Sequence, residues 1–141
     1  GGAGNPWFLI DDSKPLKPII FQERKKPDFI KLDSDTDENV FARREYVYGS
    51  HSRQNAGYGF WQYAWGSRQV LNKANYQIAR AALIDMKGDY GRPLNNKPRL
   101  LVVSGALEGQ ALEITTAERD AAGATNVWKG TAEVMVVPWL A

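Results

Sequence analysis

Apolar positions in the first third of the chain come in short runs broken by proline and acid. Trp7-Phe-Leu-Ile10 is stopped by Asp11, Asp12 and Ser13, and Pro18-Ile-Ile-Phe-Gln-Glu23 is a second run. Pro27-Asp-Phe-Ile-Lys-Leu32 alternates polar and apolar side chains, the period of a half-buried strand. Pro15, Pro18 and Pro27 punctuate these runs. Proline has no N–H to donate to a ladder, so the pattern predicts short, edge-like strands. Two longer β candidates follow, 39–49 and 56–65, rich in Val, Phe, Tyr and Trp. The polar stretch Ser50-His-Ser-Arg-Gln-Asn55 between them predicts the tip of a long hairpin.

From Leu71 the period changes. Leu71, Ala74, Asn75, Ile78, Ala81, Ala82 and Met86 recur at three- to four-residue spacing. That predicts a helix over 71–87, with Asn72 as N-cap and Gly88 as its stop. Arg99-Leu-Leu-Val-Val-Ser104 predicts a buried strand. Ser104 is then placed to cap a helix reaching about 121, with Leu107, Ala111, Ile114 and Ala117 or Glu118 on the helical spacing and Gly123 ending it. A turn at 126–130 leads to a last strand, Thr131-Ala-Glu-Val-Met-Val-Val137, before Pro138-Trp-Leu-Ala141. A β-rich block, 1–67, followed by helix, strand, helix and strand, 68–141, implies the α+β class.

At 141 residues and 43% hydrophobic content, the chain is long and apolar enough for a real core. Eighteen basic and 16 acidic residues leave a formal charge of +2, too little to single out a polyanion or an acidic membrane surface as partner. The chain has no cysteine, so disulfides and thiolate metal sites are ruled out. No apolar run approaches the roughly 20 residues of a spanning helix. Gly1-Gly-Ala-Gly-Asn-Pro6 has no basic segment leading into an apolar one, and Gly1 stands where an initiator Met would; the expectation is a fragment or a processed chain without a signal or membrane segment.

The candidate chemistry is sparse. His51, the sole histidine, sits between Ser50 and Ser52, which offers a base beside two nucleophiles. A triad needs a third orienting group and an oxyanion site, and neither is in view, so a solvated loop residue is the expectation. Asp33-Ser-Asp-Thr-Asp-Glu38 spaces carboxylates as calcium loops do, but Glu38 stands where an EF-hand needs Gly, and Arg44 where it needs a bidentate Glu. A solvated acidic turn is expected instead. Gly57-Tyr-Gly59 is too short for a phosphate fingerprint and falls among β segments, so it is expected to mark a bend or a close backbone approach. Arg24-Lys-Lys26 and Arg43-Arg44, with Tyr46, Tyr48, Tyr58, Phe60, Trp61, Tyr63 and Trp65, make a nucleic-acid-binding module the alternative reading of function. No cofactor site is expected.

Longer strings carry a specific resemblance. Pro6-Trp-Phe-Leu-Ile-Asp11, Lys17-Pro-Ile-Ile-Phe-Gln-Glu-Arg24, Phe41-Ala-Arg-Arg-Glu-Tyr-Val-Tyr-Gly49 and Asn55-Ala-Gly-Tyr-Gly-Phe-Trp-Gln-Tyr-Ala64 resemble the carboxyl-terminal part of Mu-like phage major head subunits. Ala74-Asn-Tyr76, Gly91-Arg-Pro-Leu94, Leu100-Leu-Val-Val103, Ala124-Thr-Asn126 and Val136-Val-Pro-Trp-Leu140 do so too.

The resemblance implies a non-enzymatic shell protein with the Hong Kong 97-type capsid fold of tailed phages, built from an axial and a peripheral lobe. On it, 71–87 is similar to the spine helix, 46–65 to the peripheral β element and 104–138 to axial-lobe material. The family's amino-terminal arm and extended loop have no counterpart here. The implied partners are other copies of the capsid protein, with scaffold and other head proteins beyond them, and no membrane. The implied location is the virion capsid, and the bacterial host cytoplasm during assembly. Trp61, Trp65 and Trp139 are candidate anchors of subunit contacts, although burial in a core is the more common fate of a large aromatic and is the expectation for each. In the family, the block like 71–141 precedes the block like 1–67, which implies a circular permutant with a junction near Gly66, Ser67 and Arg68.

Overall fold

A computed structural model describes residues 2–119 and 122–140. These group into two compact units, 1–18 with 58–141, and 19–57, which do not coincide with the blocks 1–67 and 68–141.

The first unit is built on a four-stranded sheet. Strands β1 (Trp7–Ile10), β4 (Ala64–Ser67), β5 (Leu100–Val103) and β6 (Glu133–Val136) lie in the order β4-β1-β5-β6. β1 runs antiparallel to both neighbours, and β5 and β6 are parallel. Parallel neighbours need a crossover, and helix α3 (Glu108–Thr115) supplies it. In the register, Trp7 lies opposite Val103 and Leu9 opposite Leu101, so these four fully buried side chains share one face of the sheet.

Helix α2 (Lys73–Ile84) closes that face with Tyr76, Ala79 and Leu83, and α3 adds Ala111 and Ile114. Burying each large aliphatic side chain contributes about 1.5–3 kcal/mol. Tyr76 packs edge-on against Trp128 at 5.7 Å, and its hydroxyl bonds the Thr131 hydroxyl at 2.9 Å. The Asn72 cap is confirmed, its side chain accepting the Asn75 N–H at 2.8 Å.

The buried stripe of α2 differs from the expected one. Ile78 and Ala81 are exposed, and the helix turns Tyr76 inward instead, where its ring meets Trp128 and its hydroxyl Thr131. The helix also ends at Ile84, with Lys87 already bridged to Pro93. The second helix is shorter than 104–121: a 3-10 turn over Gly105–Leu107 precedes α3, and the hydroxyl of Ser104 makes no cap bond. Residue 121 lies outside the described residues. Gly130, at φ 73°, donates its N–H to the Thr115 carbonyl at 2.8 Å and turns the chain toward β6.

The second unit is a two-stranded sheet, β2 (Ile19–Leu32) with β3 (Val47–Tyr58), joined through the short helix α1 (Glu38–Arg43). Contacts between Lys25 and His51 and between Phe29 and Tyr48 progress in opposite senses along the strands, so the pair is antiparallel. This corrects three sequence expectations. The two proline-flanked runs fuse into one 14-residue strand that continues through Pro27, as a strand with an open edge allows. The expected strand 39–49 begins as α1, which Arg44 stops in the left-handed region at φ 53°. Ser50–Asn55 is strand interior, not a hairpin tip; the tip is the acidic loop with α1. Gly57 in β3 makes no close backbone approach, since a Cβ there would meet nothing within 4 Å.

Candidate assembly surface

The most unusual property of the second unit is how little of it is buried. Every residue of β2 and β3 is exposed, and in α1 only Val40 is covered. Yet the strands carry Ile19, Ile20, Phe21, Phe29, Ile30, Leu32, Val47 and Tyr48. Phe29 stacks on Tyr48 with ring centroids 5.9 Å apart and planes at 15°. Ile30, Leu32 and Val47 line a shallow concavity with His51. Phe29 and Ile30 are consecutive in a strand and therefore point to opposite faces, so both faces of the hairpin are apolar near its tip. A lone two-stranded hairpin is marginal in water, and contiguous exposed apolar surface marks an interaction site.

The tip is held by hydrogen bonds rather than by a core. The side-chain amide of Asn39 donates to the carbonyls of Leu32 and Glu45, at 3.1 and 2.6 Å. Asp37 accepts the Ser34 N–H at 3.0 Å, and Lys31 pairs with Asp33 at 3.2 Å. The acidic run is thus a hydrogen-bonded turn, and among the described residues no three metal-ligating side chains converge.

His51, with Ser50 and Ser52, does not form a catalytic set. All three lie inside β3, where His51 faces away from both serines, and its Nε2 contacts Lys25 Nζ.

The three candidate tryptophans separate. Trp61 and Trp139 lie in 3-10 turns of the first unit and are 71% and 91% exposed, whereas Trp65 on β4 packs against the core cluster. Within that unit, Trp65, Phe8 and Ile78 line an open groove of about 550 Å³. Its floor is shaped by Gly66, opposite Phe8, where a Cβ would come within 3.0 Å of the ring. Phe29, Ile30, Leu32 and Val47 went unrecognised as surface in the sequence, because alternation marks a strand face without saying whether anything covers it.

Structures of phage shells share this architecture. A chain of the bacteriophage JBD30 procapsid superposes with a TM-score of 0.82 at 43% identity, covering 97% of this chain and 46% of that one. A chain of the JBD30 capsid superposes at 0.85 with 21% identity, covering 100% and 50%, and speaks for the fold alone. The fold is therefore the expected α+β, Hong Kong 97-type fold of tailed-phage capsid proteins.

In sequence, the major capsid protein of Escherichia phage Mu is 36% identical over 98% of this chain and 46% of its own length. The FluMu prophage major head subunit of Haemophilus influenzae is 39% identical over 81% of this chain and 37% of its own. The chain thus spans less than half the length of these relatives. Neither match supports an exchanged block order or a nucleic-acid-binding role. The family profile described as Mu-like prophage major head subunit gpT matches residues 1–140, and the chain belongs to that family.

Proposed function

We propose that this chain is a shell-building segment of a phage major head protein and works by self-association, without catalysis. It belongs in the virion capsid and, during assembly, in the bacterial host cytoplasm, with other copies of the protein as its first partners. Scaffold and other head proteins are further partners on the same reading. Helix α2 takes the place of the spine helix, within the block 68–141 of helix, strand, helix and strand that follows the β-rich block 1–67.

One observation carries the reading: the hairpin Ile19–Leu32 with Val47–Tyr58 keeps apolar side chains on both faces and has no core of its own. Closed shells need adhesive surface on several sides of a subunit. The exposed Trp61 and Trp139 of the first unit supply further anchors of the kind that bury much area at little entropic cost.

Sedimentation velocity over a wide concentration range tests the proposal. Defined oligomers or shell-sized particles are expected, and a compact monomer at every concentration rejects it.

A further inference from the structure

The hairpin has a second property beyond its apolar faces. Along its length, three kinds of surface follow one another. Arg24, Lys25 and Lys26 on β2, with Arg53 on β3, outnumber the flanking Glu23 and Asp28 and leave a net basic middle. Phe29, Ile30, Leu32, Val47 and Tyr48 form an apolar band. At the tip, Asp33, Asp35, Asp37, Glu38 and Glu45 outnumber Lys31, Arg43 and Arg44, which leaves a net acidic end.

Among the described residues, none of the four basic side chains has a carboxylate within ion-pair distance; Arg24 bonds Gln22 and Lys25 touches His51. Nor can the two charged ends neutralise each other within one copy. From Lys26 to Asp33 is seven residues, about 23 Å of extended strand. That is well beyond the screening length of about 8 Å at physiological salt.

The order basic, apolar, acidic is self-complementary when two copies lie antiparallel with their apolar bands in contact. A second hairpin laid antiparallel, turned about an axis through the apolar band near Ile30, sets base on acid at both ends and apolar on apolar between them. A parallel arrangement in register sets like charge on like charge, which opposes association. An antiparallel contact of this kind is isologous, each copy giving and receiving the same pair of contacts.

Resting on the shell-building reading above, we infer that two copies of this chain pair through their hairpins, antiparallel about a local two-fold axis centred on the apolar band, with the basic middle of each on the acidic tip of the other.

Charge reversal tests the pairing, using exposed residues without a structural bond. Lys26→Glu with Arg53→Glu makes a copy acidic at both ends; Asp35→Lys with Glu38→Lys makes one basic at both ends. Each double variant, checked for an unchanged circular dichroism spectrum, is expected to weaken self-association by at least about tenfold in sedimentation velocity. An equimolar mixture of the two is expected to recover it, and so is one chain carrying all four changes.

If both variants associate as the unaltered chain does, or the mixture stays monomeric while the unaltered chain associates, the hairpin pairing is wrong and the shell-building reading stands. An unaltered chain that is monomeric throughout removes both.

Discussion

The carboxylate of Asp11 accepts the backbone N–H of Lys97 at 2.8 Å, joining the end of β1 to the approach to β5 across 86 residues of chain. The same carboxylate takes the N–H and the hydroxyl of Ser13 at 2.8 and 2.6 Å. Burial pushes the Asp11 pKa up, but bonds from the Ser13 hydroxyl and the Lys97 and Ser13 amides, with the Lys14 charge, outweigh it and hold the carboxyl below its ordinary value of 3.8.

A group whose pKa is lowered on folding stabilises the fold above its unfolded value, and that contribution fades as pH falls through the folded one. Asp11→Asn is therefore expected to cost about 1–3 kcal/mol at pH 7. The gap in Tm between the two proteins should narrow as the pH drops below about 4. Thermal melts at several pH values measure it, and a constant gap would disprove the role given to the charge.

Asn126 serves a helix end in the same way. Its amide nitrogen donates to the carbonyl of Ile114 in the last turn of α3, at 2.9 Å, and to that of Ala117 just beyond it, at 3.0 Å, and its oxygen accepts the Trp128 N–H at 3.2 Å. Asn126→Ala is expected to cost about 1–3 kcal/mol. Asn126→Asp should cost more, since it replaces the donor with a negative charge at the negative end of the helix dipole. Urea unfolding of both variants orders them.

Tyr76→Phe keeps the ring against Trp128 and removes only the bond to Thr131, with an expected loss of about 1 kcal/mol. Leu83→Ala, in the fully buried centre of the core, should cost about 2–5 kcal/mol. Denaturant midpoints for the pair separate hydrogen bonding from packing.

The tryptophans should divide by burial. Trp65→Ala is expected to lower stability by at least about 2 kcal/mol through lost packing. Trp61→Ala and Trp139→Ala should stay within about 0.5 kcal/mol of the unaltered chain. If the exposed pair anchors subunit contacts, these two variants lose self-association while their melting curves stay in place.

Local pattern was enough for much of the fold. Trp7–Ile10, Leu100–Val103 and Glu133–Val136 are strands where their apolar runs predict them, and Asn72 caps the helix it precedes, because these elements depend on neighbours a few residues away. The family strings were equally legible, being long and contiguous. Local pattern failed at α1, where the period of 39–49 is compatible with strand, and at Ile78, whose spacing suits a core it does not enter.

What the sequence by itself determined, then, is the α+β class, most of the elements of the first unit and the family. Only the tertiary structure decided that Trp7 lies opposite Val103, that Ile19–Glu23 and Pro27–Leu32 belong to one strand, and that Trp65 is packed while Trp61 and Trp139 are exposed. It alone left the apolar band of the hairpin uncovered. The reason is physical: a residue's period reports which way it points, whereas burial depends on which distant segment arrives to cover it.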